Sequence, residues 1–346
     1  MFSRILMPCV TLLAALLLNR AAPAQEPTQL RLATFGPPTS YFYVEVVLPW
    51  ADAVSRDSQG TIEIKHFGGG VIANAGNMLD RVLNGVADLG WTLQGFTPQI
   101  FVKTTVNEVP FSHETSEEGA VALWRTYANG IIASDYAGLE VFGTSSFAGT
   151  AFISRRPVRN LEDVKGMKVS VSGKGRADMI TALGGVPLAM PIDEVFMAID
   201  RRTIDGTFGS LTAVRSFRFH EVAKYFLDES FSGAAAMLAM SKQKFDSLPE
   251  PARMAFRKHS GEALSRALGV SNNGEMDRAR AFLSDLERQG SIASVARLTP
   301  EERERWRKAL DPIVEAWVKN VPDGQHVLDA YRAEVVAVRA AKQTNR

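Results

Sequence analysis

Residues Lys168 to Gly206 read KVSVSGKGRADMITALGGVPLAMPIDEVFMAIDRRTIDG. Two periodicities take turns in it. Lys168 to Val171 alternates as a strand, the loop Gly173-Lys174-Gly175 follows, and Arg176 to Leu183 reads as a helix. Val186 to Met190 is a short second strand, Ile192 to about Arg201 a second helix, and Ile204-Asp205-Gly206 opens a third strand. Strands that alternate with helices build parallel-rich α/β sheets.

The same order occurs nearer the N-terminus. Leu30-Arg31-Leu32-Ala33 opens as a strand, Gly36-Pro37-Pro38 turns the chain, and Thr39 or Ser40 is placed to cap a helix running to about Arg56. Gln59-Gly60 ends that helix. Thr61 to Phe67 alternates as a strand, Gly68-Gly69-Gly70 follows as a loop, Asn77 to Leu83 reads as a helix, and Val86 to Leu93 as another strand. Both halves therefore carry helix, turn, aspartate, strand, at Gly85-Val86-Ala87-Asp88 and at Arg202-Thr203-Ile204-Asp205. A chain of 346 residues is too long for one typical core. Together these features predict two α/β domains of similar design.

The C-terminal third is predominantly helical in pattern. Pro249 to about Arg288 has helical periodicity, with Gly261, Gly269 and Gly274 as places where it could break. Thr299-Pro300-Glu301-Glu302 is a strong start signal, combining a Thr cap, a Pro at the first helical position and an acid three residues after the cap. The helix it starts is expected to reach about Lys319, with Trp306, Leu310, Ile313 and Trp317 on one core-facing stripe.

Residues 1–24 read as an export signal: Arg4 supplies a positive start, Ile5 to Leu18 is apolar, and Ala22-Pro23-Ala24 is a small-x-small cleavage site. The apolar run falls short of the roughly 20 residues that span a bilayer. The only cysteine, Cys9, lies inside this segment. Without Arg4 and Arg20, the 39 basic residues become 37 against 38 acidic ones, a near-neutral balance with no basic run. That argues against nucleic-acid binding.

Signatures of catalysis and of metal or cofactor binding are missing. Gly173-Lys174-Gly175 lacks the spacing and the Ser or Thr of a phosphate loop. His220-Glu221 begins like a zinc-protease motif, but Lys224 stands at the second histidine position. Ser241 and Lys244 have Ser-x-x-Lys spacing without its companion motifs. The five histidines are scattered, which suits surface or satisfied core positions. No catalytic residue, metal or cofactor is expected.

Pro157-Val158-Arg159-Asn160-Leu161-Glu162-Asp163-Val164-Lys165-Gly166-Met167-Lys168-Val169 resembles a known family, the DctP-type binding subunits of tripartite ATP-independent periplasmic (TRAP) transporters. Ala182 to Met190, Asp193 to Ile199, Ile204-Asp205-Gly206, Gly85-Val86-Ala87-Asp88 and Glu108-Val109-Pro110-Phe111 agree in order and spacing. The resemblance spans about Leu30 to Ala330. It implies a two-domain α/β clamp of the type II periplasmic binding protein kind, with a long hinge-spanning helix. Solute would sit between the domains, and closure would be a hinge motion. The implied division is 25–147 plus about 236–278 for domain I and 148–235 plus about 279–346 for domain II, with hinges near Phe147 to Thr150 and Ser232 to Ala236. The implied partners are a small-molecule ligand and the permease subunits of a TRAP transporter, the implied location is the periplasm, and the chain is expected to act as a monomer. An exported enzyme, a sensor module and a receptor for an ATP-driven importer are the alternatives.

One departure matters. Many family members carry an arginine after the segment matching Met167-Lys168-Val169, where it pairs with a ligand carboxylate. Here Ser170 stands there. Acid-binding members also often have an asparagine after the Asp-Gly pair, near Gly209 here. Three explanations stay open: a ligand that is not a carboxylate, a replacement cation for which Arg176 at the helix start is best placed, or a bulkier ligand held by water or hydroxyl contacts. The remaining candidate ligand-binding residues are Phe35 and Tyr41 after the first strand, Trp91 and Gln94 after Asp88, Thr150 and Phe152 at the entry to the second domain, and Phe208 beside Gly209. Aromatic walls with few polar groups suit a ligand with an apolar or ring-like face.

Overall fold

The structure is a computed structural model describing residues 26–344. The expected export segment, with Cys9, lies outside the described residues. Eleven strands occur among the described residues: β1 (Thr28–Ala33), β2 (Ile62–Phe67), β3 (Leu89–Leu93), β4 (Leu139–Ser146), β5 (Thr150–Ser154), β6 (Lys168–Val171), β7 (Val186–Ala189), β8 (Gly206–Ser210), β9 (Tyr225–Leu227), β10 (Ala235–Ser241) and β11 (Ser294–Ala296). They form two sheets, β2-β1-β3-β10-β4 and β11-β9-β5-β8-β6-β7. The expected parallel pairs are present: β1 with β2 and β3, and β6 with β7 and β8. Both sheets are nevertheless mixed, because β10 runs antiparallel to β3 and β4, and β5 antiparallel to β8 and β9.

The repeated aspartate does the same work in both sheets. The Asp88 carboxylate accepts from the Arg31 backbone N–H at 2.8 Å while Asp88 N–H donates to the Arg31 carbonyl at 2.9 Å. Asp205 does likewise with Lys168, at 2.8 Å in each direction. Each aspartate thus satisfies the strand that its own strand joins, which fixes the parallel register. Each sheet is covered on both faces. Leu32, Trp50, Phe142 and Phe256 fill one side of the first sheet, and Val141, Met237 and Tyr331 the other. Phe152, Phe208 and Trp306 fill one side of the second, and Ile153, Phe219 and Phe226 the other.

Six helices matter below: α1 (Leu48–Asp57), α2 (Ser116–Ala128), α3 (Lys174–Ala182), α4 (Glu262–Arg288), α5 (Pro300–Asn320) and α6 (Gly324–Thr344). The expected Ser or Thr cap before α1 is not made. Ser40 offers its carbonyl to the N–H groups of Tyr43 and Val44, and its hydroxyl finds no partner. A π-helical turn, Tyr43–Val47, then leads into α1. Such insertions recur at functional sites. The helical run after Pro249 breaks once, at Ser260-Gly261, and α4 continues unbroken through Gly269 and Gly274. The Thr299 cap is as expected, its hydroxyl accepting from Glu302 N–H. Trp306 and Leu310 are buried, while Ile313 and Trp317 are only partly covered. The Ser-x-x-Lys pair is a helix cap, because Ser241 Oγ accepts from Lys244 N–H.

Two stretches cross between the sheets, residues 147–149 and 228–234. They pair with each other, Phe147 with Ala234 and Thr150 with Ser232. The long helix α4 runs past both. Its Asn272 donates to Ser145 Oγ and the Ser146 carbonyl at the end of β4. Its Glu275 takes Arg215 from the second lobe and Arg278 from its own helix, and Arg278 reaches Glu45 in the first lobe. α5 packs with the second sheet through Trp306. α6, which the sequence division grouped with the second domain, packs instead on α2 of the first lobe: Tyr331 and Val335 enter that core, and Arg339 pairs with Glu118. Its apolar stripe matches the one that α2 leaves open.

Candidate ligand-binding site

Between the sheets lies a cavity of about 70 Å³ whose walls are mostly carbon. The first lobe supplies Phe35, Tyr41, Phe42, Leu93 and Phe147, and the second supplies Met190, Ile192, Phe208 and Phe217. The polar edge comes from Ser170, Ser172, Arg176, Thr207, Ser210 and Thr212. Six of the ten sequence candidates line it: Phe35, Tyr41, Ser170, Arg176, Phe208 and Gly209. The other four lie behind the wall. Trp91 stacks under Phe42 at 5.1 Å, and Phe152 packs under Phe208 at 5.1 Å. Gln94 faces away and donates to Tyr136 Oη at 2.7 Å. Thr150 meets Arg176 rather than the cavity. Trp91 shares a sheet face with the lining Leu93, and Phe152 with its cross-strand partner Phe208, so both are set back by their position along that face, while Gln94 leaves the strand in a 3-10 turn.

Among the described residues, Arg176 is the only arginine or lysine that lines this cavity. It is not the exposed helix residue that a first-turn arginine usually is: only 3% of it is accessible. Gly173 makes this placement possible. Its φ of 131° is open to glycine and strained for other residues, and it folds the chain sharply from β6 into α3. The guanidinium then points inward, Nη2 donating to Thr150 Oγ1 at 2.5 Å and Nη1 to Ser172 Oγ at 3.1 Å. Nε is buried without a partner, and so is Ser170 Oγ. Burial pushes the guanidinium down to about 10, and the Glu108 carboxyl opposes that. It stays charged at neutral pH. A guanidinium whose Nε–H lacks a partner has the chemistry to receive an anion, side-on to a carboxylate.

Tyr41 ties the mouth of the site together. Its hydroxyl donates to Asn272 Oδ1 at 2.8 Å, and burial raises its pKa. Phe208 is held from behind by a stack through Phe231 to Trp306. Gly209 has only Thr207 within 4 Å of where a Cβ would stand, so a side chain would fit there. Its absence leaves room in the cavity. Sequence reasoning did not find Phe42, Phe147, Phe217 or Thr212 as lining residues. Phe42 adjoins a candidate and Phe147 lies in an expected hinge, but the residue types alone do not separate lining aromatics from core ones.

The family model for bacterial extracellular solute-binding protein family 7, DctP, matches residues 32–320. The outer membrane transporter protein TsaT of Comamonas testosteroni is 25% identical over 340 residues, covering 95% of this chain and 97% of that one. A TRAP solute-binding protein from Rhodoferax ferrireducens, solved with copurified benzoate, superimposes with a TM-score of 0.84 at 22% identity, covering 91% of this chain and 99% of that one. A TRAP periplasmic solute-binding protein from Bordetella bronchiseptica, solved with (R)- and (S)-mandelate, gives 0.80 at 23% identity, covering 90% and 100%. The two solved proteins share with this chain the fold of two mixed α/β sheets with long helices. The chain therefore belongs to the DctP family, family 7 of the bacterial extracellular solute-binding proteins, and is a binding protein for small organic solutes rather than an enzyme.

Proposed function

We propose that the protein captures a small aromatic carboxylate in the periplasm and delivers it to the permease subunits of a TRAP transporter. The observation that carries this reading is the pair of buried polar atoms without partners, Arg176 Nε and Ser170 Oγ, at the edge of an aromatic cavity. A carboxylate would accept from the guanidinium edge while a ring lies among Phe35, Phe42, Phe208 and Phe217. On this reading Arg176 replaces the cation that Ser170 no longer supplies. Benzoate and mandelate, carried by the two structural relatives, are solutes of this kind. The cavity is smaller than the roughly 150 Å³ that holds benzene in another protein. Seating a ring therefore moves the partly covered Phe147 and Phe217 outward. Residues 1–24 would direct export and be removed, and the mature chain would act as a monomer.

The test is a thermal-shift and calorimetric comparison on the protein lacking residues 1–24. Benzoate, 3-hydroxybenzoate and mandelate should raise the melting temperature, corresponding to about 2.7 kcal/mol at a hundredfold excess over Kd. Benzamide and succinate should not. A response to aliphatic dicarboxylates or neutral sugars, with none to aromatic acids, overturns the proposal.

A further inference from the structure

Glu108 ends a short 3-10 turn, Thr104–Glu108, that packs with the first lobe against β10, α2 and α6. Its side chain reaches across to the second lobe. Three glycines close around the carboxyl, Gly95 from the first lobe and Gly173 and Gly175 from the second. A Cβ on Gly95 would stand 2.7 Å from Oε1, one on Gly175 2.7 Å from Oε2, and one on Gly173 3.1 Å from Oε1. Only 3% of the residue is accessible, and Oε2 has no hydrogen-bond partner. Side chains at these glycines would push the lobes apart. The closed arrangement is therefore shaped around this one carboxyl.

We infer that Glu108 is the group on which the two lobes lock, and that locking takes up a proton. An ionised carboxylate in a dry seam without a hydrogen bond to each oxygen is costly, and a neutral one is not. The charged groups around it do not reverse this. Burial opposes the carboxylate and outweighs the attraction of Arg176 on α3 and the Gly175 N–H, Asp178 on α3 adds to it, and together they bring the carboxyl up from 4.5 to about 7. Lys174 turns away to Asp178. Neither the Gln94–Phe96 turn nor β10 carries a titratable side chain. On the remaining neighbours, Glu117 is held by Lys342, Glu118 by Arg339 and Glu334 by Arg125. Asp135, across the turn, accepts from the Thr104 N–H and hydroxyl. In an open form water would reach Glu108 and restore the ordinary carboxylate value. Closing then binds a proton between that value and about 7, and is favoured as pH falls through this window.

The inference rests on the clamp reading and not on which solute is bound, so its test uses no solute. Spin labels on the purified protein at Asp52→Cys and Asp193→Cys, exposed positions on opposite lobes, report the separation by double electron–electron resonance from pH 8.5 to 5. The ratio of closed to open molecules should rise on acidification, approaching tenfold per pH unit below about pH 7. Glu108→Gln, which has the shape of the protonated acid, should close equally at every pH. Gly175→Ala should hold the lobes open at every pH. A closed fraction that does not change between pH 8.5 and 5, or a pH response that survives in Glu108→Gln, overturns the inference. Failure of aromatic acids to bind would refute the proposed solute and leave this pH response to be read independently.

Discussion

Replacing Arg176 by Met separates stability from binding. The ligand-free protein keeps this charge dehydrated. A guanidinium brought from 12.5 to about 10 by burial carries a cost on the order of 3 kcal/mol at 1.36 kcal/mol per pH unit. Against it stand the bonds to Thr150 and Ser172, each worth about 1.5 kcal/mol for a charged donor. The two sums nearly cancel, so Arg176→Met should leave the ligand-free melting temperature within a few degrees of the parent. Binding should behave differently. A carboxylate left in a dehydrated cavity without its cation loses about 3 kcal/mol, which is roughly 150-fold in Kd. Titration calorimetry with benzoate, beside denaturation of the ligand-free protein, measures both quantities. A loss of affinity below about threefold, or a fall in ligand-free stability that accounts for the loss of binding, would refute the assignment of Arg176 as the anion receptor.

Gly209→Asn adds an amide where a Cβ meets only Thr207, so the protein should fold normally while benzoate affinity falls about tenfold through lost room, a change read by the same titration. Trp306→Ala removes the end of the stack behind Phe208 and should cost about 3–5 kcal/mol in urea denaturation; a cost under 1 kcal/mol would show that the stack does not support the second lobe. His113 is buried among Ser112, Ser146 and Tyr331, and burial brings it from 6.5 to about 4. A base lowered on folding gives stability that is full above the unfolded value and drains as pH falls, about 2 kcal/mol by pH 5. Glu108, raised to about 7, gives the opposite slope over the same range, so the contrast is sharpest between His113→Gln and Glu108→Gln: the first should flatten the acid loss and the second deepen it.

Periodicity made most of the second sheet legible, because Lys168–Val171 and the helix after it need no long-range partner to declare themselves. The paired aspartates were visible as an echo, and their shared bond to the neighbouring strand is what that echo encodes. Antiparallel β10 was not legible as the strand between β3 and β4, since nothing in Ala235–Ser241 names its partners. The site divides in the same way. Arg176 stood out because Ser170 left a charge unaccounted for. Trp91, Gln94 and Phe152 have the composition of lining residues, but Phe42 and Phe208 stand in front of the two aromatics and Gln94 turns away to Tyr136. Glu108 sat inside a recognised motif without an assigned task, because its function depends on glycines from two lobes that only the folded chain brings together.

The central place of β10 bears on how the chain is made. A nascent polypeptide that has not yet released Ala235–Ser241 carries β3 and β4 with open edges, and α2 stays bare until Gly324–Thr344 arrives. The first lobe cannot be completed by the first half of the sequence, and contacts of such long separation form slowly. The first lobe of a ribosome-bound fragment should therefore remain incomplete until almost the last residues emerge. Under the proposed export, such a delay would suit a chain threaded through a translocation channel as an extended strand.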